Sequence, residues 1–105
     1  MTSSEMDRLF GALGDPTRRA VIELLRDGPR RAGDLADAAR VSAPVMSRHL
    51  RVLLKSGIVD DERSASDARV RLFFLRKDSL VPAVTWLQDL DLLGARPGAR
   101  RELVG

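Results

Sequence analysis

Seven residues between positions 42 and 55 have types and spacing that suit one chemistry. Ser42, Ala43, Pro44, Ser47, Arg48, Arg51 and Lys55 are small, polar or basic, and no acidic residue interrupts the span from Val41 to Ile58. Met46, Leu50 and Leu53 recur at i, i+4 and i+7. On an α-helix they form an apolar stripe, and the other residues stand on the opposite side. That side fits a DNA major groove. Ala43 and Pro44 suit contact with a thymine methyl, Ser47 can donate or accept, and Arg48 can make a bidentate bond to guanine O6 and N7. Arg51 and Lys55 lie further along, placed for phosphates, which position a protein without reading sequence. Ser42, at the helix N-terminus, brings backbone amides toward a further phosphate. An ordinary solvated face mixes Glu with Lys, because oppositely charged i, i+4 pairs are favourable. The absence of acid here favours nucleic acid.

Such a helix needs elements to hold it. Residues 34–57 read as a short helix, a tight turn at Arg40-Val41 and a second helix capped by Ser42, with Pro44 in its first turn and Gly57 at its end. The helix before the turn covers about Gly33 to Ala39, with Leu35, Ala38 and Ala39 inward. It lacks an obvious cap, since Arg31-Ala32 sit where one is expected. Upstream, Met6, Leu9, Phe10 and Leu13 describe one face of a first helix that Gly14 ends. Asp15-Pro16 restarts the chain as N-cap and first helical residue, Ala20, Val21, Leu24 and Leu25 form the next apolar face, and Gly28-Pro29 stops it.

Downstream, Ile58 to Arg63 and Ala68 to Leu75 read as two strands joined by Ser64-Ala65-Ser66-Asp67. Both faces of the second strand carry apolar residues, so alternation leaves its inward face open. Asp78 or Ser79 opens a last helix with Leu80, Val84, Leu87 and Leu90 on one face, broadened by Val81, Trp86 and Leu93, and ended by Gly94. The predicted order is α-α-α-α-β-β-α, mainly α with a small β-hairpin: a winged helix-turn-helix with an extra helix at each end. One domain is expected over residues 1–93, followed by a flexible basic tail over 94–105.

The charge distribution agrees with this arrangement. The 105 residues carry a formal net charge of +3. Residues 1–41 are neutral overall, and residues 42–77 hold eight basic against four acidic side chains. The excess therefore coincides with the second helix of the motif and the hairpin. Arg69 and Arg71 make the hairpin a candidate wing that tracks the DNA backbone, with Arg63 beside them. Asp60-Asp61-Glu62 on the same ribbon oppose that role if they face phosphate. Arg18 and Arg19 are open between phosphate contact and plain solvation.

The first and last helices have apolar faces broader than a small winged domain needs. They suit a two-fold interface built from Met6, Leu9, Phe10, Leu13, Leu80, Val84, Leu87 and Leu90, although the same residues could simply close the monomer core. A homodimer would present two such helices to half-sites about one helical turn apart on an imperfect palindrome of double-stranded DNA.

With these elements in place, the chain resembles the ArsR family of bacterial winged-helix repressors. The resemblance rests on Leu13-Gly14-Asp15-Pro16-Thr17-Arg18-Arg19 with Ile22-Glu23-Leu24-Leu25, on Gly33-Asp34-Leu35-Ala36, and on the run from Ser42 to Leu53 that contains Ser47-Arg48-His49-Leu50. Gly57-Ile58-Val59 and the Arg-bearing hairpin follow in register, so it covers roughly residues 6 to 92. It implies a homodimeric regulator, usually a repressor released by an effector. Ala43 stands where relatives often have a polar residue, which shifts specificity toward Ser47 and Arg48.

The sensing chemistry of relatives does not carry over. Metal-sensing members use cysteines near the start of the helix before the turn, or Asp and His on the last helix. This chain has no cysteine and one histidine, His49, on the DNA-facing helix. No metal site and no cofactor is expected, and whether a small organic effector sits between the terminal helices is left open. The absent cysteines also exclude a disulfide framework. No segment approaches the roughly 18 apolar residues of a membrane span, and the N-terminus has no basic and apolar leader, so the expectation is a cytoplasmic protein with no membrane partner. An enzyme is disfavoured by the lack of Cys and Tyr, the single His and the absence of a glycine-rich phosphate loop. The alternative is a winged-helix protein-interaction module without DNA binding, for which an acid-rich outer face would have argued.

Overall fold

Side-chain caps set where α2 (Pro16–Leu25) and α4 (Ala43–Lys55) begin in the computed structural model, which is described over residues 3–90. The order is α1 (Ser3–Leu13), α2 (Pro16–Leu25), α3 (Ala32–Ala39), α4 (Ala43–Lys55), β1 (Val59–Arg63), β2 (Arg71–Leu75) and α5 (Val81–Asp89). This is the winged helix-turn-helix order expected from the sequence. The proposed boundary at residue 93, the tail over 94–105, and the roles given to Leu93 and Gly94 lie outside the described residues.

Asp15 is extended at φ −117° and ψ 131°, and its Oδ1 accepts the backbone N–H of Arg18 at 3.0 Å. One otherwise unpaired amide of α2 is thereby satisfied, and Pro16 removes another. Arg31 precedes α3 with an extended backbone and no side-chain cap, and the helix begins at Ala32, one residue before its expected start. Ala36 is buried beside Leu35, whereas Ala38 is exposed. The buried face of α3 is centred on Leu35 and Ala36, with Ala32 and Ala39 half-buried beside them and Ala38 outside it.

Arg40 turns the chain from α3 to α4 in the left-handed region, φ 58° and ψ 44°. The Val41 N–H then returns to the Ala36 carbonyl at 3.0 Å. Ser42 caps α4 through its Oγ, which accepts the Val45 N–H at 3.4 Å. Met46, Leu50 and Leu53 are all buried. Gly57, at φ +77°, turns the chain out of α4 toward the hairpin, a conformation that favours glycine.

The hairpin pairs Val59 with Leu75, Asp61 with Phe73 and Arg63 with Arg71, antiparallel. Its second strand begins at Arg71 rather than Ala68. Val70 closes the connecting loop instead, donating to the Asp67 carbonyl and accepting from the Ser64 N–H, both at 2.9 Å. Phe73 is buried, so the face with Arg71, Phe73 and Leu75 points inward. Arg30, between α2 and α3, exchanges two backbone bonds with Phe73 at 2.8 and 3.0 Å. This bridge ties the wing to the helix-turn-helix.

The last helix does not open on Asp78 or Ser79. Its N-cap is Leu80, already near-helical at φ −94° and ψ −6°, without a side-chain cap. Ser79 Oγ donates backward to the Arg76 carbonyl at 2.6 Å, which takes it away from capping duty. One apolar cluster joins all the elements: Leu9 and Ala12 of α1, Val21 and Leu25 of α2, Leu35 of α3, the stripe of α4, Ile58, Val59, Phe73, and Ala83 of α5.

Candidate nucleic-acid interface

The buried stripe of α4 sets which side of that helix meets solvent. Ser42, Ala43, Pro44, Ser47, Arg48, Arg51 and Lys55 are all exposed. The surface expected from the sequence is therefore contiguous on one helix, with Lys55 the basic residue in its last turn. No carboxylate lies on α4, so the face carries net positive charge.

The wing adds two arginines already held by carboxylates. Arg71 donates through Nε to Asp61 Oδ2, and its guanidinium lies 4.7 Å from the centre of the Phe73 ring. Cation–π stacking and the ion pair together restrict its rotamers. Arg69 forms a two-pronged pair with Asp67, Nε to Oδ1 at 3.2 Å and Nη2 to Oδ2 at 3.3 Å. The Arg69 side chain holds the Asp67 carboxyl below its usual range, helped by the Arg69 backbone N–H. The Arg69 side chain is 91% exposed, so this pair organises the tip of the loop in solvent. Part of the charge of both arginines is therefore already balanced within the hairpin.

The hairpin register divides the acidic run between the two faces of the ribbon. Directly opposed residues share a face, so Asp61 lies on the inner face with Arg71 and Phe73, while Asp60 and Glu62 lie on the outer one. The inner face turns toward α4. Ser47, Arg51 and Leu54 of α4 line a cleft of about 310 Å³ together with Ala32, Arg71 and Phe73. Thus the fold brings Ser47, Arg51 and Arg71 to one concavity, whereas Arg69 stays apart at the loop tip.

Arg18 is half-buried and Arg19 is exposed, and both guanidinium groups are engaged by the end of α1. Arg18 donates to the carbonyls of Ala12 at 2.8 Å and Gly11 at 3.1 Å, and Arg19 donates to Leu13 at 2.8 Å. They satisfy the C-terminal carbonyls of α1, which has no basic residue in its own last turn. Arg18 also reaches His49 on α4, 3.3 Å from Nη1 to Nδ1. Asp15 Oδ1 lies 3.9 Å from the same ring nitrogen. The Arg18 N–H in the α2 cap holds the Asp15 carboxyl below its ordinary value of 3.8; desolvation opposes this, and the charges of His49 and Arg18 reinforce it. Sequence reasoning missed this cluster. A signal exists only for its arginine–carbonyl part: α1 lacks a basic C-terminus of its own.

The residues suggested for a two-fold interface divide into three groups. Leu9 is 2% exposed and belongs to the monomer core, so it has no area to give a partner. Met6, Phe10, Leu13 and Leu80 are half-buried against that core. Val84, Leu87 and Leu90 are exposed, as are Val81 and Trp86, which helical spacing did not single out for the interface. Trp86 meets Phe10 edge to face, with ring centres 5.5 Å apart, and so joins α5 to α1 in one apolar surface.

Among the described residues, no group of three or more His, Cys, Asp or Glu side chains could hold a metal ion, and no helix is long and apolar enough to cross a membrane.

Comparison with known proteins places this geometry. Residues 15–61 match the family described as bacterial regulatory protein, arsR family. The transcriptional repressor SdpR of Bacillus subtilis is 32% identical over 82 residues, which span 78% of this chain and 88% of SdpR. A crystal structure of an ArsR family transcriptional regulator superposes with a TM-score of 0.76 at 29% identity, covering 91% of this chain and 97% of that one. The homodimeric winged helix-turn-helix DNA-binding domain Mb0332 from Mycobacterium bovis, solved by solution NMR, has a TM-score of 0.67 at 22% identity over 89% of this chain and 86% of its own.

Proposed function

Since the chain belongs to the ArsR family of bacterial regulatory proteins, we propose that it binds its operator as a homodimer and represses by occupying promoter DNA. Members of this family are DNA-binding transcriptional regulators rather than enzymes. The finer reading concerns which surfaces act. The observation that carries it is the exposed, acid-free face of α4 beside Arg71 of the wing. Arg48 reads guanine, Ser47 and the Ala43-Pro44 pair contact neighbouring bases, and Arg51, Lys55 and the Ser42-capped N-terminus hold phosphates. Arg71, released from or sharing Asp61, extends the contact along the backbone, and Arg69 does so at the tip.

The partner surface is the apolar face of α1 and α5. An exposed strip containing Val84, Trp86, Leu87 and Leu90 is costly in water, and a second copy covers it. The homodimeric state of the Mycobacterium bovis domain supports this assignment. Two copies of α4 then address half-sites about one helical turn apart.

The trigger is assigned to something other than a metal held as in the metal-sensing relatives. The chain has no cysteine, and its one histidine is engaged by Arg18. A small organic effector between the terminal helices remains the candidate class. Selection of duplexes from a random-sequence library tests the proposal. An imperfect palindrome with half-sites about ten base pairs apart is expected. Enrichment of no motif, with a winged-helix fold intact, would favour the protein-interaction alternative.

A further inference from the structure

We propose that Arg18 is a positioning residue for DNA binding: it clamps the DNA-facing helix to the C-terminus of α1 through His49 and does not itself contact phosphate. The inference rests on the DNA-binding reading above and concerns how α4 is held.

Three contacts of one guanidinium form the clamp. Arg18 Nε and Nη2 donate to the Ala12 and Gly11 carbonyls of α1, and Nη1 faces His49 Nδ1. A guanidinium only donates, so this contact is a hydrogen bond in the tautomer whose Nδ1 carries no proton. His49 lies between Arg48 and Leu50 in the middle of α4, and its side chain is only 18% exposed. The fork of Arg is planar and rigid, so its three directions are fixed relative to one another. The end of α1 and the middle of α4 are therefore set by a single group. The positive charge of Arg18 already complements the C-terminal end of α1 and lies beside Asp15. This separates Arg18 from Arg48 and Arg51, whose side chains extend into solvent. Because α1 also carries part of the proposed two-fold surface, the clamp links the dimer layer to α4. The spacing and tilt of the two DNA-facing helices in a dimer would depend on it.

The test uses the full chain and a duplex selected by the wild-type protein. Arg18→Gln, Arg18→Lys, His49→Phe, His49→Asn and the double variant Arg18→Gln/His49→Phe are compared over a range of salt concentrations. Arg18→Gln and Arg18→Lys should each weaken binding by about fivefold to tenfold, the scale of one broken hydrogen-bonded tie. The slope of log K against log[salt] should stay at the wild-type value. His49→Phe should match Arg18→Gln, and the double variant should be no weaker than either single one, since all three break the same clamp. His49→Asn places its Oδ1 near the position of Nδ1 and should restore binding. Nitrogen NMR of the wild-type imidazole should show Nδ1 unprotonated and Nε2 protonated, with Nδ1 shifting in Arg18→Gln. Thermal melting and sedimentation show whether each variant is folded and dimeric, and the His49 pair decides the question if Arg18→Gln unfolds. Three results would overturn the clamp: a salt slope shallower by about 0.9 in Arg18→Gln, as removal of one phosphate-binding cation gives; affinity kept by Arg18→Lys; or additive effects in the double variant. Failure of the wild-type protein to bind any duplex would instead overturn the DNA-binding reading.

Discussion

Arg48 and Arg51 sit one turn apart on the exposed face of α4, yet they are assigned different work. Arg48 is nearer the N-terminal end, where base edges are reached, and Arg51 faces the cleft shared with Arg71. Arg48→Ala should lower affinity for the selected operator by about 1–3 kcal/mol while leaving mixed-sequence DNA nearly unaffected. Arg51→Ala should weaken both and flatten the salt slope by about 0.9 for each phosphate it no longer neutralises. Competition binding against mixed-sequence DNA checks this division, and equal effects of the two variants on both duplexes would remove it. Asp15 offers a pH test. Its carboxyl is held below 3.8 by the N–H of Arg18, so its cap contributes stability above that pH and loses the contribution as pH falls through the lowered value. Asn caps a helix as well as Asp but does not titrate. Asp15→Asn should therefore show a smaller fall in melting temperature than wild type between about pH 5 and pH 3.

Among the elements, the turn between α3 and α4 holds a non-glycine residue in the left-handed region. Arg40 at φ 58° carries a steric cost that glycine does not, although glycine has more freedom to lose on folding. Arg40→Gly should leave the helix-turn-helix geometry intact and raise stability by up to about 1 kcal/mol, measured by urea unfolding. The elements that were legible in the sequence are those written in local, periodic patterns. The Met46, Leu50 and Leu53 stripe of α4, the Asp15-Pro16 start and the Ser42 cap each follow from residues within a few positions of one another. Features that depend on distant partners were not legible. The inward face of β2 was decided by packing of Phe73 and its bridge to Arg30, and Ser79 was drawn from capping by the Arg76 carbonyl. The Arg18–His49 contact spans 31 residues, and no local pattern announces it. For the candidate interface, the residues of α4 could be read from spacing. The Asp61–Arg71 and Asp67–Arg69 pairs could not, because strand register and loop closure bring them together.

At the scale of the molecule, the proposed function rests on two surfaces: a basic one formed by α4 and the wing, and an apolar one formed by α1 and α5. Leu87→Glu tests the second without touching the first, since Leu87 is exposed and far in sequence from α4. The variant should remain folded, sediment as a monomer and lose most of its operator affinity, because a single half-site contact lacks the second copy's contribution. A folded Leu87→Glu dimer would move the interface elsewhere. The central claim is that the acid-free face of α4 and the wing arginines meet DNA phosphates while the α4 N-terminus reads bases. The most direct measurement is the affinity of the wild-type protein for its selected duplex across salt concentrations. The account predicts a linear fall of log K with log[salt], with a slope of about −0.9 per phosphate contact and a value near −5 to −9 for a dimer. A slope near zero, or no binding even at low salt, would contradict it.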